Sequence, residues 1–185
     1  MRLTKKFFNR NTAIVAKDLL GKFLVRKIGR KIVFAMITET EAYHGPHDRA
    51  SHASRGLTPR TKIMFGPPGY IYVYMIYGIY HCLNFVTGRK RFPAAVLIRS
   101  VILTSNNLAP SAHLNGPGKL CRVLRIDRRL NGLPIGNSRL WIEARGIKVP
   151  RRVIKYGKRI GVDYAGKWKD RLWRFYIKTE RNRRF

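Results

Sequence analysis

The sequence predicts an α+β fold: one compact domain over residues 1–185, with a mixed, mainly antiparallel sheet, a few helices and no helix-hairpin-helix unit. Three observations predict it. The chain has 185 residues, the size of a single domain, and 45% of them are apolar, enough for an ordinary core. Its middle, residues 70–103, is dominated by aromatic and β-branched runs broken by short polar turns. Helical spacing is confined to two short stretches.

The first of these runs from Asn11 or Thr12, either of which can cap a helix, through Leu20, with Ala13, Val15, Ala16, Leu19 and Leu20 on its apolar side and Gly21 as its stop. Residues 23–28 and 31–43 flank the turn Gly29-Arg30 and read as a hairpin. From His44 to Gly69 the pattern breaks into a long segment rich in Gly, Pro, His, Ser and Arg; long loops of this kind are usually functional or disordered. Strands are expected over 70–77, 79–86 and 94–103. A second helix opens at Asn115-Gly116-Pro117 and runs through Ile126, with Pro near its first position and Leu120, Val123 and Leu124 at helical spacing. Later strands are expected over 140–144 and 173–177, and residues 181–185 read as a basic tail.

Thirty-nine Lys and Arg against nine Asp and Glu leave a formal charge of +30, which repels itself unless the partner is a polyanion. Nucleic acid is the leading candidate. No run approaches the ~18 apolar residues of a spanning helix, and the basic residues are spread along the chain rather than gathered in one juxtamembrane block. No membrane partner is therefore expected. The basic start, Met1 to Phe8, is followed by Asn9-Arg10-Asn11 rather than by an apolar segment with a cleavage site, so no leader is expected. Cys82 and Cys121 are far apart, with neither zinc nor redox spacing, which suits buried thiols in a reducing, intracellular compartment.

Three groups of residues could carry chemistry. In the strand 33–43, the period of two places Val33, Ala35, Ile37, Glu39, Glu41 and Tyr43 on one face, so two of only nine acidic residues stand where a strand leaves the core. A desolvated carboxylate has a raised pKa and can act as a general base. Pairing with the abundant arginines as structural ion pairs is the alternative, and one glutamate can follow each reading. Tyr70, Tyr72 and Tyr74 share a strand face, with Gly78 at a bend beyond them. They are either core rings with wet hydroxyls or, beside so large a charge, a stacking surface for a base drawn out of a helix. His44, His47 and His52 with Asp48 invite a metal reading, but neither a paired-histidine helix nor a cysteine pair accompanies them, and no metal or other cofactor is expected. Arg60, Lys62 and Arg89, at loop positions, are candidate phosphate contacts.

Glu39-Thr40-Glu41-Ala42-Tyr43, with Gly45-Pro46-His47-Asp48 and His52, resembles the alkyladenine (3-methyladenine) DNA glycosylase family. The resemblance continues in order through Thr58-Pro59-Arg60, residues 72–78, Asn84, residues 96–99 and residues 115–121. It reaches almost to the C-terminus through residues 159–162, 165–168 and 173–176. It implies double-stranded DNA containing damaged purines as partner, a monomeric enzyme in the nucleoid or nucleus, and hydrolysis of the N-glycosidic bond. Carried onto this chain, Glu41 would activate the water, and Arg99 and the backbone carbonyl of Ile160 would hold it. Tyr43, His52, Tyr74 and Asn84 would form the base pocket. Tyr77 would enter the duplex, with Ile79 beside it. No lysine stands as a nucleophile at the matched positions, so release of the base without strand cleavage is expected. After Arg99 the family usually continues into a helix, whereas here residues 100–107 lead through a shorter connection to Asn115.

Two other classes fit parts of the pattern. A non-catalytic nucleic-acid-binding protein derived from this family would explain the charge and the aromatics, though not Glu41, Arg99 and Asn84 in matched order. A carbohydrate glycosidase would want two carboxylates flanking a bond, which residues two apart on one strand are poorly placed to do. The charge also exceeds what base removal requires, pointing to a high-salt setting or to scanning of DNA.

Overall fold

A computed structural model describes residues 1–104 and 109–178. The basic tail therefore lies outside the described residues. After a short helix α1 (Lys5–Phe8), helix α2 (Thr12–Asp18) begins where Asn11 accepts the backbone N–H groups of Ala13 and Ile14, satisfying donors that the first turn leaves free. Strands β1 (Phe23–Ile28) and β2 (Lys31–His44) form the expected hairpin. The loop that follows holds two single 3₁₀ turns, His52–Arg55 and Lys62–Phe65. Then come β3 (Ile71–Ile76), β4 (Tyr80–Val86), β5 (Ala94–Thr104), β6 (Pro110–Asn115) and α3 (Pro117–Val123). Strands β7 (Leu140–Glu143), β8 (Ile154–Gly157) and β9 (Arg174–Ile177) complete the chain's ladder.

The described strands pair antiparallel into one branched sheet built on β2 and β5. The first half of β2 pairs with β1, which pairs with β7, and the second half of β5 pairs with β6. At the other end, residues 39–41 of β2 take β9, which carries β8, and residues 95–97 of β5 take β4, which carries β3. The sheet therefore forks midway along its central pair.

At the fork the register slips twice. Ile37 faces Val101, Glu39 faces Ser100 and Thr40 faces Ile98, so β2 carries one extra residue near Thr38 and β5 one near Arg99. The two bulges compensate in register but reverse the faces. Ala35 and Ile37 pack in the main core, and so does Ala42 rather than Glu41. Thr40 also points to the helical side, where its hydroxyl donates to Ala16 O at 2.8 Å. The single face expected for residues 33–43 is thus wrong beyond Ile37: a strict period of two fails across a bulge, and Glu39, Glu41 and Tyr43 turn away from the core that Ala35 and Ile37 fill.

Other departures follow from tertiary pairing. Residues 110–115, expected as part of a connection, are drawn into strand β6 because the second half of β5 has a free edge once β4 diverges. Helix α3 seats in that divergence, packing Leu120, Cys121 and Leu124 into the main core beside Val15, Ala16 and Leu19 of α2 and its end.

Candidate functional site

The fork opens into a cavity of about 620 Å³ on the side of the sheet opposite the helical core, within the usual range for small-molecule pockets. Behind the lining residues Tyr43, Arg99 and Ile160 the Glu41 side chain is wholly buried. One carboxylate oxygen accepts the Ile160 N–H at 2.9 Å and the other accepts the Tyr43 hydroxyl at 2.8 Å. The Arg99 guanidinium stands 3.5 Å from Glu41 Oε1 and 3.5 Å from Glu39 Oε1. Glu39 is held more closely by Arg174, at 3.0 Å, and Arg174 is braced by the Lys158 carbonyl. Both glutamates thus stand near arginines: Glu39 is paired most closely with Arg174, and Glu41, wholly buried, has Arg99 at 3.5 Å.

Burial raises the Glu41 pKa, against the opposing pulls of Arg99, the Ile160 N–H and the Tyr43 hydroxyl. Tyr43 itself is pushed well above its ordinary value, first by burial and then by the Glu41 charge, so it stays protonated and donating.

The pocket walls are aromatic. The His52 and Tyr74 rings meet edge to face with centroids 4.5 Å apart, and Tyr72 and Tyr74 lie 5.3 Å apart. His52 Nδ1 bonds the Tyr72 hydroxyl at 3.1 Å. Burial, aided by the fields of Arg60 and Arg55, lowers the His52 pKa to about 4, so the imidazole is neutral at pH 7. Asn84 is buried on β4 opposite Tyr72, with its amide nitrogen donating to the carbonyls of Tyr72 and Cys82. Tyr43, His52, Tyr74, Asn84, Arg99 and Ile160 therefore line one pocket, although they come from separate strands and loops, and Glu41 stands directly behind Tyr43, Arg99 and Ile160. The backbone of Ile160 meets Glu41 through its N–H.

Tyr77 and Ile79 stand at the pocket mouth, on the tip of the β3–β4 hairpin, where they are 87% and 68% exposed. Ile76 O accepts the Ile79 N–H at 3.2 Å, and the two residues between them have φ of 51° (Tyr77) and 70° (Gly78). A positive φ suits Gly78 but strains Tyr77, an aromatic residue in a conformation that favours glycine. An exposed ring held at a backbone cost on a hairpin tip points to use rather than to packing.

The candidate phosphate contacts fare unequally. Arg60 and Lys62 are exposed, but the Arg60 guanidinium leans on β3, donating to Met75 O at 3.3 Å and lying 5.3 Å from the Tyr74 ring centre. Arg89 follows the far end of β4, roughly 20 Å of strand from the hairpin tip by the usual rise of about 3.3 Å per residue, and is not brought to the pocket mouth. Lys119 and Arg122, on α3, are the basic side chains that line the rim beside Tyr80. Gly118 makes that approach possible, since a Cβ there would meet the Tyr80 ring at 2.8 Å. Of the three loop histidines, His44 bonds Thr12 Oγ1 at 2.8 Å and His52 bonds Tyr72. Among the described residues no group of three or more His, Cys, Asp or Glu is placed to hold a metal ion.

Sequence reasoning missed two parts of the site. Leu97, directly across from Glu41, lines the pocket and could have been found by counting back two from Arg99. Arg159 had no such signal. Its guanidinium is buried against Asp48 and lies 4.8 Å from the Tyr43 ring centre and 5.1 Å from that of Trp173.

A domain of this architecture, with a buried carboxylate beneath an aromatic pocket and so large a positive charge, falls in the class of DNA glycosylases of DNA repair once its relatives are considered. The family model described as methylpurine-DNA glycosylase (MPG) matches residues 6–181, and the chain belongs to that family. A protein of Anaeromyxobacter dehalogenans (strain 2CP-C) named "Putative 3-methyladenine DNA glycosylase" is 49% identical over 179 residues, covering 96% of this chain and 84% of its own. Proteins of the same name from Methanocella arvoryzae and Legionella pneumophila (strain Paris) are 47% and 44% identical, each over 96% of this chain and over 92% and 94% of their own lengths. No helix among the described residues is long and apolar enough to cross a membrane.

Proposed function

We propose that this protein, acting as a monomer, draws a damaged purine out of double-stranded DNA and hydrolyses its N-glycosidic bond with a water activated by Glu41, leaving an abasic site. The observation that carries the reading is Glu41 itself: a wholly buried carboxylate with a raised pKa, fixed by two neutral donors and touched only loosely by Arg99. In the reaction the water oxygen bonds to the sugar C1′, the bond from C1′ to the base nitrogen breaks with its electron pair leaving on the base, and Glu41 takes the water's proton. Arg99 and the Ile160 carbonyl hold the water.

The pocket suits an electron-poor purine. Tyr43, Tyr74 and a neutral His52 present ring faces and edges, and His52 itself adds no positive charge; aromatic faces attract a cationic alkylated ring. By the family resemblance Asn84 disfavours the exocyclic amine of normal guanine, through its bulk at the pocket wall rather than through its amide nitrogen, which is committed to two carbonyls. Damaged bases pair and stack weakly, which reduces the few kcal/mol needed for extrusion. The substrate class is 3-methyladenine, 7-methylguanine, hypoxanthine and ethenoadenine. Tyr77 fills the vacated space in the duplex with Ile79 alongside, and Arg60 and Lys62 reach phosphates.

Single-turnover release of hypoxanthine and 3-methyladenine from duplex DNA by wild type and Glu41→Gln, with duplex binding measured at the same salt, tests this. Release lost by roughly 10²- to 10⁴-fold in the variant, with binding retained, is expected. Binding without release by either protein would overturn the enzymatic reading. Borohydride should trap no covalent adduct, although Lys119 stands at the rim; a trapped adduct would overturn the water mechanism.

A further inference from the structure

Arg99 stands between two carboxylates and is closed on neither. Its Nε lies 3.5 Å from Glu39 Oε1, and its Nη1 lies 3.5 Å from Glu41 Oε1. Both distances exceed the about 2.7–2.9 Å of a closed charge-assisted hydrogen bond, and Nε is buried without a hydrogen bond among the described residues. The bulges create this position. Ser100 faces Glu39 and Ile98 faces Thr40, so Arg99 is the residue that the ladder skips, and a bulge re-aims the side chain it carries.

Glu39 is anchored from its far side. Arg174 donates to the same Oε1 at 3.0 Å and to Lys158 O at 2.8 Å, and its guanidinium lies 4.9 Å from the Tyr176 ring centre. Gly157 leaves it the room, since a Cβ there would meet the guanidinium at 2.9 Å. Charges therefore alternate outwards from the pocket, from Glu41 through Arg99 and Glu39 to Arg174. An arginine closed on a carboxylate lowers its pKa by about 1–3 units and so makes it a weaker base. At Glu41 burial outweighs the pull of Arg99, and the Glu39 charge adds to the rise. The other groups around Glu41 do not replace that charge: burial keeps Tyr43, Tyr74 of β3 and Cys82 of β4 protonated, and Arg159 is neutralised by Asp48. From β6, His113 feels the Glu39 charge, although burial lowers the histidine's pKa.

We propose that Glu39 is a positioning residue for base removal: by holding one side of Arg99 it keeps the guanidinium from closing on Glu41, so that Glu41 stays free to take the water's proton and Arg99 stays free to hold the water. The proposal rests on Glu41 acting as the base. Glu39 acts through Arg99 and touches neither water nor substrate, and Arg174 limits how far it can draw Arg99 away.

The test reads Glu41 directly. The chain has four glutamates, few enough for each carboxyl to be followed through a pH titration by carbon NMR of the full chain labelled at glutamate. Glu39→Gln, which keeps the side chain's shape, should let Arg99 close on Glu41 and move the Glu41 titration down by about one unit. The acidic limb of single-turnover hypoxanthine release should move down with it, and the rate above that limb should fall. Glu39→Asp, which keeps the charge and is gentler to the fold, should shift less in the same direction. Arg174→Met leaves Glu39 to Arg99 alone and should move the Glu41 titration up. In an Arg99→Gln background, Glu39→Gln should move Glu41 far less, because the effect passes through Arg99.

A Glu41 titration that stays put or rises in Glu39→Gln would overturn the proposal. So would an equal downward move in the Arg99→Gln background, which would assign the effect to the Glu39 charge alone. Loss of the shift once His113 is also replaced by Gln would assign it to that histidine and overturn the proposal as well. Failure of wild type to release any damaged base, with the NMR shifts as expected, would count against the enzymatic reading and leave the hold of Glu39 on Arg99 standing.

Discussion

Arg159 and Asp48 form an ion pair buried from solvent on both sides, with the guanidinium reaching the two carboxylate oxygens at 2.6 and 2.9 Å. The same guanidinium donates to Ala42 O at 2.9 Å and Trp168 O at 3.1 Å. Ala42 lies between Glu41 and Tyr43, and Arg159 precedes the residue whose N–H holds Glu41. One buried cation thus joins the strand that carries the carboxylate to the loop that orients it. Asp48→Asn, which leaves the cation without its counter-charge, should destabilise the fold by about 3–5 kcal/mol, read as a lowered midpoint in urea with an unchanged slope. A loss within 0.5 kcal/mol of zero, the ordinary range for surface changes, would deny the pair that role.

Glu41 should impose two pH effects of related origin. If it is the base, release of hypoxanthine should fall as pH drops through its raised pKa, so the acidic limb should lie above the ordinary 4.5 for a glutamate. For stability the sign is the reverse of a salt-bridged carboxylate. As pH rises from the unfolded value towards the raised folded one, the unfolded chain releases this proton first and the fold loses stability. Glu41→Gln should remove that loss from the difference between acid and neutral unfolding profiles. A rate profile flat down to pH 4.5 would remove Glu41 from the chemical step.

His52 should act in the opposite direction. Its pKa falls from 6.5 to about 4 on folding, so between those values the unfolded chain binds the extra proton and stability declines as pH falls. A shift of that size is worth about 3 kcal/mol at full development, given about 1.4 kcal/mol per unit. His52→Phe should flatten the wild-type loss between pH 6.5 and 4. Equal slopes for both proteins would place the burden on other groups.

Tyr77 should show a conflict between stability and use. Glycine tolerates its φ of 51°, so Tyr77→Gly should stabilise the protein by about 0.5–1 kcal/mol in urea unfolding, relief of the strained φ outweighing the added freedom of the unfolded chain. The same variant should release damaged bases more slowly from duplex DNA than from single strands, since only the duplex needs its vacancy filled. Tyr77→Ala keeps the strain and loses the ring, so it should slow release without the gain in stability. Equal losses on both substrates would count against a wedge.

The α+β class, the first hairpin, a helix cap at Asn11 or Thr12 and the bend at Gly78 were legible because each is a local matter of propensity, turn chemistry or capping, and the excess of 39 basic over nine acidic residues is likewise present in any conformation. The candidate roles of Glu41 and its neighbours came from the family resemblance, and the family itself is shown by the match over residues 6–181. Where those side chains point was not legible. A strict alternation put Glu41 on the face of Ile37, and only the pairing of β2 with β5, with one extra residue accommodated on each, turned it to the pocket. The Arg159 clamp and strand β6 were equally hidden, because a buried ion pair between positions 48 and 159 and an edge left free when β4 diverges are properties of strands already brought together. The sequence determined by itself the locally coded elements, how much charge they carry and which residue types are available for chemistry, but not β6 or β8. The tertiary structure decided the side of the sheet on which that chemistry stands, because register and bulges are set by the fit between strands.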